Sequence, residues 1–200
     1  PKKTLEIGSG TGHLAMAIHS HSSSYLAIEP SIEMFRISQE VLHSSSKKIE
    51  ILNIGFESFN EETKYNFILS HLCVHTLNDS SANDFLKTVH NYLTKDGTAI
   101  FTIPHPCFYN NYKKFFSEDE YKYNKSLYKE VSFAITNDPS RLISNVPYYH
   151  RPLSYYINAI ANTNLVITSF DEIYPNDEVE ALYLESWGVP RYCSFIVKKQ

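Results

Sequence analysis

The stretch Leu5-Glu6-Ile7-Gly8-Ser9-Gly10-Thr11-Gly12 constrains the fold more than any other part of the chain. A short apolar run leads into three glycines at alternate positions, and helix-like sequence follows them. This order predicts a strand, a tight turn and the start of a helix. Glycines at this spacing let the backbone bend sharply and approach a ligand closely, where a Cβ atom would clash. The turn therefore predicts a site for a nucleotide-like cofactor.

The glycine spacing and the acid before it narrow the choice of cofactor. A dinucleotide site has the pattern G-x-G-x-x-G, whereas this chain has G-x-G-x-G with a carboxylate two residues ahead, which repels phosphate and suits an ammonium group. The pattern E-x-G-x-G-x-G resembles the first motif of class I S-adenosylmethionine (SAM) methyltransferases. The resemblance implies SAM as cofactor, S-adenosylhomocysteine (SAH) as its product, and an acid close to the methionine moiety. The implied cofactor contacts of this motif are Glu6, Gly8, Ser9, Gly10 and Gly12.

Strand-like and helix-like segments alternate from the first strand to residue 103. Such alternation implies a parallel, doubly wound sheet whose ligand lies across the carboxyl ends of its strands. Two later apolar runs predict a closing antiparallel hairpin. The expected fold is therefore α/β, a Rossmann-like doubly wound seven-stranded sheet, mostly parallel with an antiparallel last strand. Beyond the first strand, the predicted strands are 25–28, 47–52, 66–70, 98–103, 165–173 and 192–198.

Glu29 ends the second predicted strand, where an acid can accept hydrogen bonds from both hydroxyls of a ribose. The segment from Glu29 through Pro30 to Met34 resembles the second motif of the family, in which the methionine lies against the adenine ring. For Met34 the alternative is plain core packing. Asn53 and Ile54 follow the third strand, where the family usually has an acid that binds the adenine amino group. The amide oxygen of Asn53 can still accept that hydrogen bond, although more weakly because it carries no charge.

Ser70 ends the fourth predicted strand, and His71 begins the segment that continues from it, which resembles the fourth motif of the family. In the family, the first residues beyond this strand lie near the transferable methyl group. His71 and His75 are four residues apart and would share one helical face, which suggests a metal pair. No third ligand at suitable spacing accompanies them, so no metal is expected.

Residues 105–150 interrupt the pattern with mixed aromatic and charged sequence. A connection this long in a compact domain is usually a lid or a binding segment. We expect residues 1–200 to form a single methyltransferase domain in which this insertion is a substrate lid, with its tyrosines packing a flat substrate; a small accessory core is the alternative. Lysines from 113 to 129 could attract an anionic substrate, but neighbouring acids nearly cancel them, which favours a solvated face.

The expected reaction is transfer of the SAM methyl group to an O or N atom of a small molecule by direct in-line displacement. A hydroxyl acceptor would need a base, whereas an amine or thiol would need little or none. His105 is the first candidate base by position, followed by His150 and His75; each has the alternative role of a hydrogen-bonded structural histidine. The His-Pro-Cys-Phe segment from 105 and the His-Arg-Pro-Leu segment from 150 resemble small methyltransferases of type 11.

The net charge of −4 and the pI near 6.1 disfavour a nucleic-acid-binding surface, which draws its affinity from Lys and Arg. The three cysteines suggest neither a disulfide framework nor zinc. With no membrane-length apolar run and no leader expected, the predicted location is cytoplasmic. Three alternatives stay open: a tRNA or protein methyltransferase, a degenerate SAM-binding module without turnover, and an NAD-dependent oxidoreductase, which the glycine spacing disfavours.

Overall fold

The computed structural model describes residues 2–43, 49–134, 142–183 and 188–200. The strands in these ranges are β1 Lys3–Ile7, β2 Ser24–Ile28, β3 Ile49–Leu52, β4 Tyr65–His71, β5 Leu93–Pro104, β6 Leu127–Ala134, β7 Leu142–His150, β8 Leu165–Ile173 and β9 Tyr192–Lys199. The helices are α1 His13–Ile18, α2 Ile32–Leu42, α3 Asp79–Tyr92, α4 Leu153–Ala161 and α5 Asp177–Tyr183.

Seven strands form one sheet in the order β3-β2-β1-β4-β5-β9-β8. The first five pair in parallel, and β9 is antiparallel to both of its neighbours, β5 and β8. The predicted doubly wound sheet with an antiparallel last strand is confirmed. The strand order reverses between β1 and β4, and ligands of such sheets bind at this reversal, outside the carboxyl ends of the strands.

The sheet forms because its strands are apolar on both faces and helices cover them. In β1 and β2 every residue after the first is buried. α3 packs against the sheet with the stripe Ala82, Phe85, Leu86 and Val89, the spacing of one helical face. Ser31 caps α2, since its hydroxyl accepts a hydrogen bond from the Met34 N–H at 3.3 Å.

The sequence places the end of the third helix at Asp96-Gly97, with a left-handed glycine cap, and this is wrong. α3 ends at Tyr92, because Leu93 already pairs with Tyr65 of β4. Among the described glycines, a positive φ occurs at positions 8, 10 and 12 and not at 97. Gly97 is required for packing instead, since a Cβ atom there would lie 2.7 Å from Leu93 Cδ1. Residues 47 and 48 of the predicted third strand lie outside the described residues.

The segment after β5 forms a second, two-stranded sheet from β6 and β7. Its core contains Tyr112, Phe116, Val131 and Tyr148. The hairpin contacts the short turn Val74–Thr76 beyond β4, and so it reaches the carboxyl edge of the large sheet. Within the described ranges, no helix has the length and apolar character needed to span a bilayer.

The packing around Gly97 predicts that Gly97→Ala lowers the free energy of unfolding by about 1–3 kcal/mol, because the added methyl group overpacks the fully buried Leu93. Gly188→Ala is the matched control, since a Cβ atom at 188 meets no described residue within 4 Å, and we expect a change within about 0.5 kcal/mol. Urea denaturation of both variants measures the difference. Equal stabilities would contradict the packing role of Gly97.

Candidate active site

The glycine turn between β1 and α1 has backbone that other residues rarely adopt. Gly8 has φ +72° and Gly10 has φ +55°. A Cβ atom on Gly8 would lie 2.7 Å from the Cys73 sulfur, so the turn packs tightly against the segment beyond β4. A Cβ atom on Gly10 would meet nothing within 4 Å. The turn is therefore fixed on one side and open on the other, and Gly10 lies on the open side.

The open side of the turn is part of the wall of a cavity of about 720 Å³ at the carboxyl ends of β1, β2 and β4. One end of the cavity is formed by the turn and by the beginning of α2, including Glu29, Pro30 and Met34. The other end is formed by the β6–β7 hairpin, the segment after β5 and the start of β9. This is the position that the strand order predicts for a ligand.

Glu29 is held at the cavity wall by two backbone donors. The Gly10 N–H donates to its Oε2 at 2.8 Å, and the Ser31 N–H donates to its Oε1 at 2.9 Å. Burial raises the pKa of this carboxyl, and the two backbone hydrogen bonds oppose that rise. Each oxygen keeps a further lone pair, so the carboxylate can accept two more hydrogen bonds from a diol.

Glu6 lies on the same wall and is only 1% exposed. The Tyr25 hydroxyl donates to its Oε2 at 2.8 Å. Burial raises the pKa of Glu6 to about 7, and the charge of Glu29 contributes to that rise. A cationic ligand in the cavity would stabilise the charged form of both carboxylates.

Asn53 supports Glu29 from outside the cavity. Its amide nitrogen donates to the carbonyl oxygens of Glu29 at 2.8 Å and of Pro30 at 3.1 Å. Ile54 packs against the main core. The described part of the cavity wall includes Glu6, Gly8, Ser9, Gly10, Glu29, Pro30, Met34, His71 and His75, but not Gly12, Asn53, Ile54 or Ser70.

His75 is the one of the three candidate bases that lines the described cavity wall. Its ring lies edge-on to the Tyr148 ring, with 4.9 Å between centroids. Burial, together with the charges of Arg151 and His71, lowers the pKa of His75 to about 3. His75 is therefore a neutral imidazole at ordinary pH. His71 beside it bonds through Nδ1 to the Thr102 hydroxyl at 2.6 Å, and burial lowers its pKa as well.

His105 and His150 lie away from this wall. His105 bonds through Nε2 to Glu172 at 2.9 Å, and its Nδ1 accepts a hydrogen bond from the Cys107 N–H. His150 bonds through Nε2 to the Tyr123 carbonyl oxygen at 3.1 Å and packs against aromatic rings of the second sheet. Both ring nitrogens of His105 are thus occupied by Glu172 of β8 and by Cys107, whereas His150 is held through Nε2 and its buried Nδ1 has no hydrogen-bond partner among the described residues.

The structure adds residues to the site that the sequence did not indicate. Leu72 lies on the wall with φ +53°, an uncommon conformation for a leucine. Arg191 and Tyr192 reach the cavity from the start of β9, and Phe115 reaches it from the segment after β5. These residues carry no periodic pattern, and only the chain path brings them together. In the described ranges, no group of three or more His, Cys, Asp or Glu side chains is placed to hold a metal ion.

Comparison with known proteins agrees with this geometry. Residues 4–97, which contain β1 to β4 and the glycine turn, match the methyltransferase domain family. This part of the chain is therefore similar to a methyltransferase domain. The resemblance stated from the sequence is confirmed.

Solved structures extend the likeness to the rest of the chain. A protein from Listeria monocytogenes, assigned as an S-adenosylmethionine-dependent methyltransferase, superposes with a TM-score of 0.71 over 100% of this chain and 91% of its own, at 22% identity. A 1,6-didemethyltoxoflavin-N1-methyltransferase from Burkholderia thailandensis, solved with 1,6-didemethyltoxoflavin and SAH bound, gives a TM-score of 0.66 over 100% of this chain and 72% of its own, at 9% identity. At these identities the structures establish the fold.

An uncharacterized methyltransferase from Alkaliphilus oremlandii is 30% identical over 97 residues, which are 48% of this chain and 43% of that protein. The chain aligns with less than half the length of the curated relatives that it matches.

The buried Glu6 predicts a pH-dependent stability. A carboxyl whose pKa rises from 4.5 to about 7 on folding stabilises the folded protein below pH 4.5, and this contribution is lost as pH rises towards 7. Without ligand, stability should fall by up to about 3 kcal/mol across this window from Glu6 alone. Glu6→Gln removes that slope, whereas the control Glu40→Gln, at an exposed position on α2, keeps it. Urea denaturation between pH 4.5 and 8 measures the slope, and an unchanged slope in Glu6→Gln would contradict the assignment.

Proposed function

We propose that this chain transfers the methyl group of SAM to an O or N atom of a small molecule by direct in-line displacement. The observation that carries the proposal is the pair of buried carboxylates, Glu6 and Glu29, on one wall of the cavity beside the open glycine turn. SAM combines a sulfonium, an ammonium and a ribose diol. Two acids and a glycine turn that is open at Gly10 match that combination better than they match a phosphate-bearing cofactor.

The residues present fit SAM in three places. Glu29, oriented by the Gly10 and Ser31 N–H groups, would accept the ribose hydroxyls. Glu6 would lie near the ammonium group, and Met34 with Pro30 would contact the adenine ring. Among the described residues the Ser9 hydroxyl is buried at this wall without a protein hydrogen-bond partner, which leaves it for a ligand. We infer that Asn53 acts by holding Glu29 in place.

The protein's part in the reaction is to align donor and acceptor. SAM held by these residues would supply an electrophilic methyl group for a lone pair of the acceptor and would leave as SAH. Alignment in a closed site can supply roughly 7–11 kcal/mol of the barrier. Of the three histidines, we assign contact with the acceptor to His75, because it lies on the wall. With a pKa near 3 it orients the acceptor as a neutral imidazole. We assign His105 and His150 to positioning of the segment after β5.

We propose that residues 1–200 act as one domain and that the insertion at about 105–150 is its substrate lid. The β6–β7 hairpin contributes Phe133, Ile143, Val146 and Tyr148 to the cavity wall. Aromatic and apolar side chains at this end suit a small organic acceptor. The small molecule bound to the Burkholderia neighbour supports the same class. The net charge of −4 opposes a tRNA substrate, and the three free cysteines suit a reducing compartment such as the cytoplasm.

Calorimetric titration with SAM and SAH tests the cofactor site. We expect saturable binding to the unaltered chain and roughly 100-fold weaker binding to Glu29→Ala, because two charge-assisted hydrogen bonds to the ribose are lost. Glu40→Ala, which removes an exposed carboxyl from α2, should bind as the unaltered chain does. Circular dichroism confirms that each variant is folded.

The outcomes separate the alternatives. No binding of SAM or SAH to the folded, unaltered chain would overturn the proposed function. Binding without methyl transfer to any member of a panel of phenols, amines and carboxylates would favour the degenerate module. Salt-sensitive binding of tRNA would favour an RNA substrate.

A further inference from the structure

The charged side chains on the cavity wall are divided between its two ends. Glu6, Glu29 and Glu57 surround the glycine turn and the end of β2. Glu57 belongs to this end because its carboxylate lies beside Gly55, which in turn lies against Pro30. The cations Lys113, Lys114 and Arg191 line the end formed by the segment after β5 and the start of β9. The cavity therefore has an acidic donor end and a basic acceptor end.

Two distant parts of the chain bring the cations together. The Asn111 amide nitrogen donates to the carbonyl oxygens of His105 at 3.0 Å and of Pro190 at 3.2 Å. The His105 N–H donates to the Arg191 carbonyl oxygen at 3.0 Å. These bonds fasten the turn that precedes Lys113 to the backbone of Arg191. Because of these backbone contacts, Lys113 and Arg191 line the same end of the cavity.

Aromatic rings lie between the cations and the donor end. The Tyr148 ring is 4.6 Å from the Phe115 ring and 4.9 Å from the His75 ring, measured between centroids. The Arg191 guanidinium lies over the Tyr192 ring at 5.2 Å. Burial raises the pKa of Tyr148, and the Arg191 charge partly opposes this, which places that charge within electrostatic reach of the Tyr148 hydroxyl. A planar molecule that packs against the Tyr148 ring from the cavity would therefore lie near the Arg191 charge.

We infer that the methyl acceptor is an anionic small molecule whose carboxylate or phosphate group binds at Arg191 and Lys113 while its apolar body lies against Tyr148 and Phe115. This inference rests on the proposed function. A guanidinium offers the paired N–H donors that carboxylates and phosphates accept. Glu6, Glu29 and Glu57 at the other end repel an anion. The same division of charge therefore keeps an anionic acceptor out of the part of the cavity that would hold SAM.

Benzoate and phenyl phosphate serve as probes, with benzamide and benzyl alcohol as neutral counterparts of similar shape. Each is titrated into the chain with and without saturating SAH, and binding is followed by saturation-transfer NMR. We expect the anions to bind at least about tenfold more tightly than the neutral probes. The comparison of benzoate with phenyl phosphate identifies which anion the site prefers.

Arg191→Gln and Lys113→Gln should each weaken anion binding about tenfold and leave SAH binding unchanged, because both side chains lie at the acceptor end. Lys87→Gln is the control, since Lys87 pairs with Asp84 on the exposed face of α3. Because Lys113 is exposed, we expect Lys113→Gln to fold, and this variant tests the inference if Arg191→Gln does not fold.

If the chain binds SAH but has equal affinity for benzoate and benzamide, this inference is overturned and the proposed function still stands. Anion binding that survives in the Arg191→Gln and Lys113→Gln variants overturns it as well. Absence of SAH binding overturns the proposed function, and the acceptor assignment falls with it.

Discussion

The hydrogen bonds between the glycine turn and the end of β2 determine the shape of the cavity. Parallel pairing places Ile7 beside Ile28, and the N–H groups of Gly8 and Ser9 then donate to the Ile28 carbonyl oxygen at 2.9 and 3.1 Å. One residue further, the Gly10 N–H reaches the Glu29 carboxylate. The turn can follow this path only because its glycines accept positive φ and leave room for Cys73. The open wall at Gly10 and the orientation of Glu29 are therefore consequences of one set of bonds.

The two buried carboxylates on this wall oppose the stability of the folded chain. Glu6 and Glu29 are both nearly inaccessible, burial raises the pKa of each, and the charge of Glu29 adds to the rise at Glu6. A chain selected only for stability would place neutral side chains at such positions. A ligand that carries positive charge reverses the sign of the effect, since it stabilises the ionised carboxylates. The electrostatic cost of burying the two carboxylates and their preference for a cationic ligand are thus two results of the same burial.

The sequence predicted the parts of the site that strand topology controls. Gly10 and Glu29 follow apolar strands, and parallel strands bring their carboxyl ends to one edge, so their proximity could be derived without any contact being known. The fold and the resemblance followed from the same pattern. The role of Asn53 was harder to derive, because the choice between binding adenine and binding the Glu29 carbonyl depends on side-chain orientation.

The acceptor end could not be derived in this way, because its residues are separated widely in sequence and follow no period. His105 is drawn away from the cavity by Glu172, and Arg191 is brought to it by the start of β9. The β6–β7 hairpin was not predicted as strands, since its residues do not alternate cleanly between apolar and polar. Tertiary contacts decide the conformation of such segments, and only the structure shows them.

Arg151 connects the end of β7 to the start of α3 and to the turn before it. It is fully buried after the last residue of β7, pairs with Asp79 at the start of α3 at 2.9 Å, and lies between the rings of Tyr149 and Tyr155. The same guanidinium donates to the Leu77 carbonyl oxygen at 2.6 Å, which fixes the turn that carries His75. Burial lowers the pKa of His75, and the Arg151 charge adds to this effect, so the side chain that joins the end of β7 to α3 helps to keep the imidazole neutral. For the methyl transfer proposed above, any proton lost by the acceptor would then leave by a route other than His75, which favours acceptors that lose it readily in water.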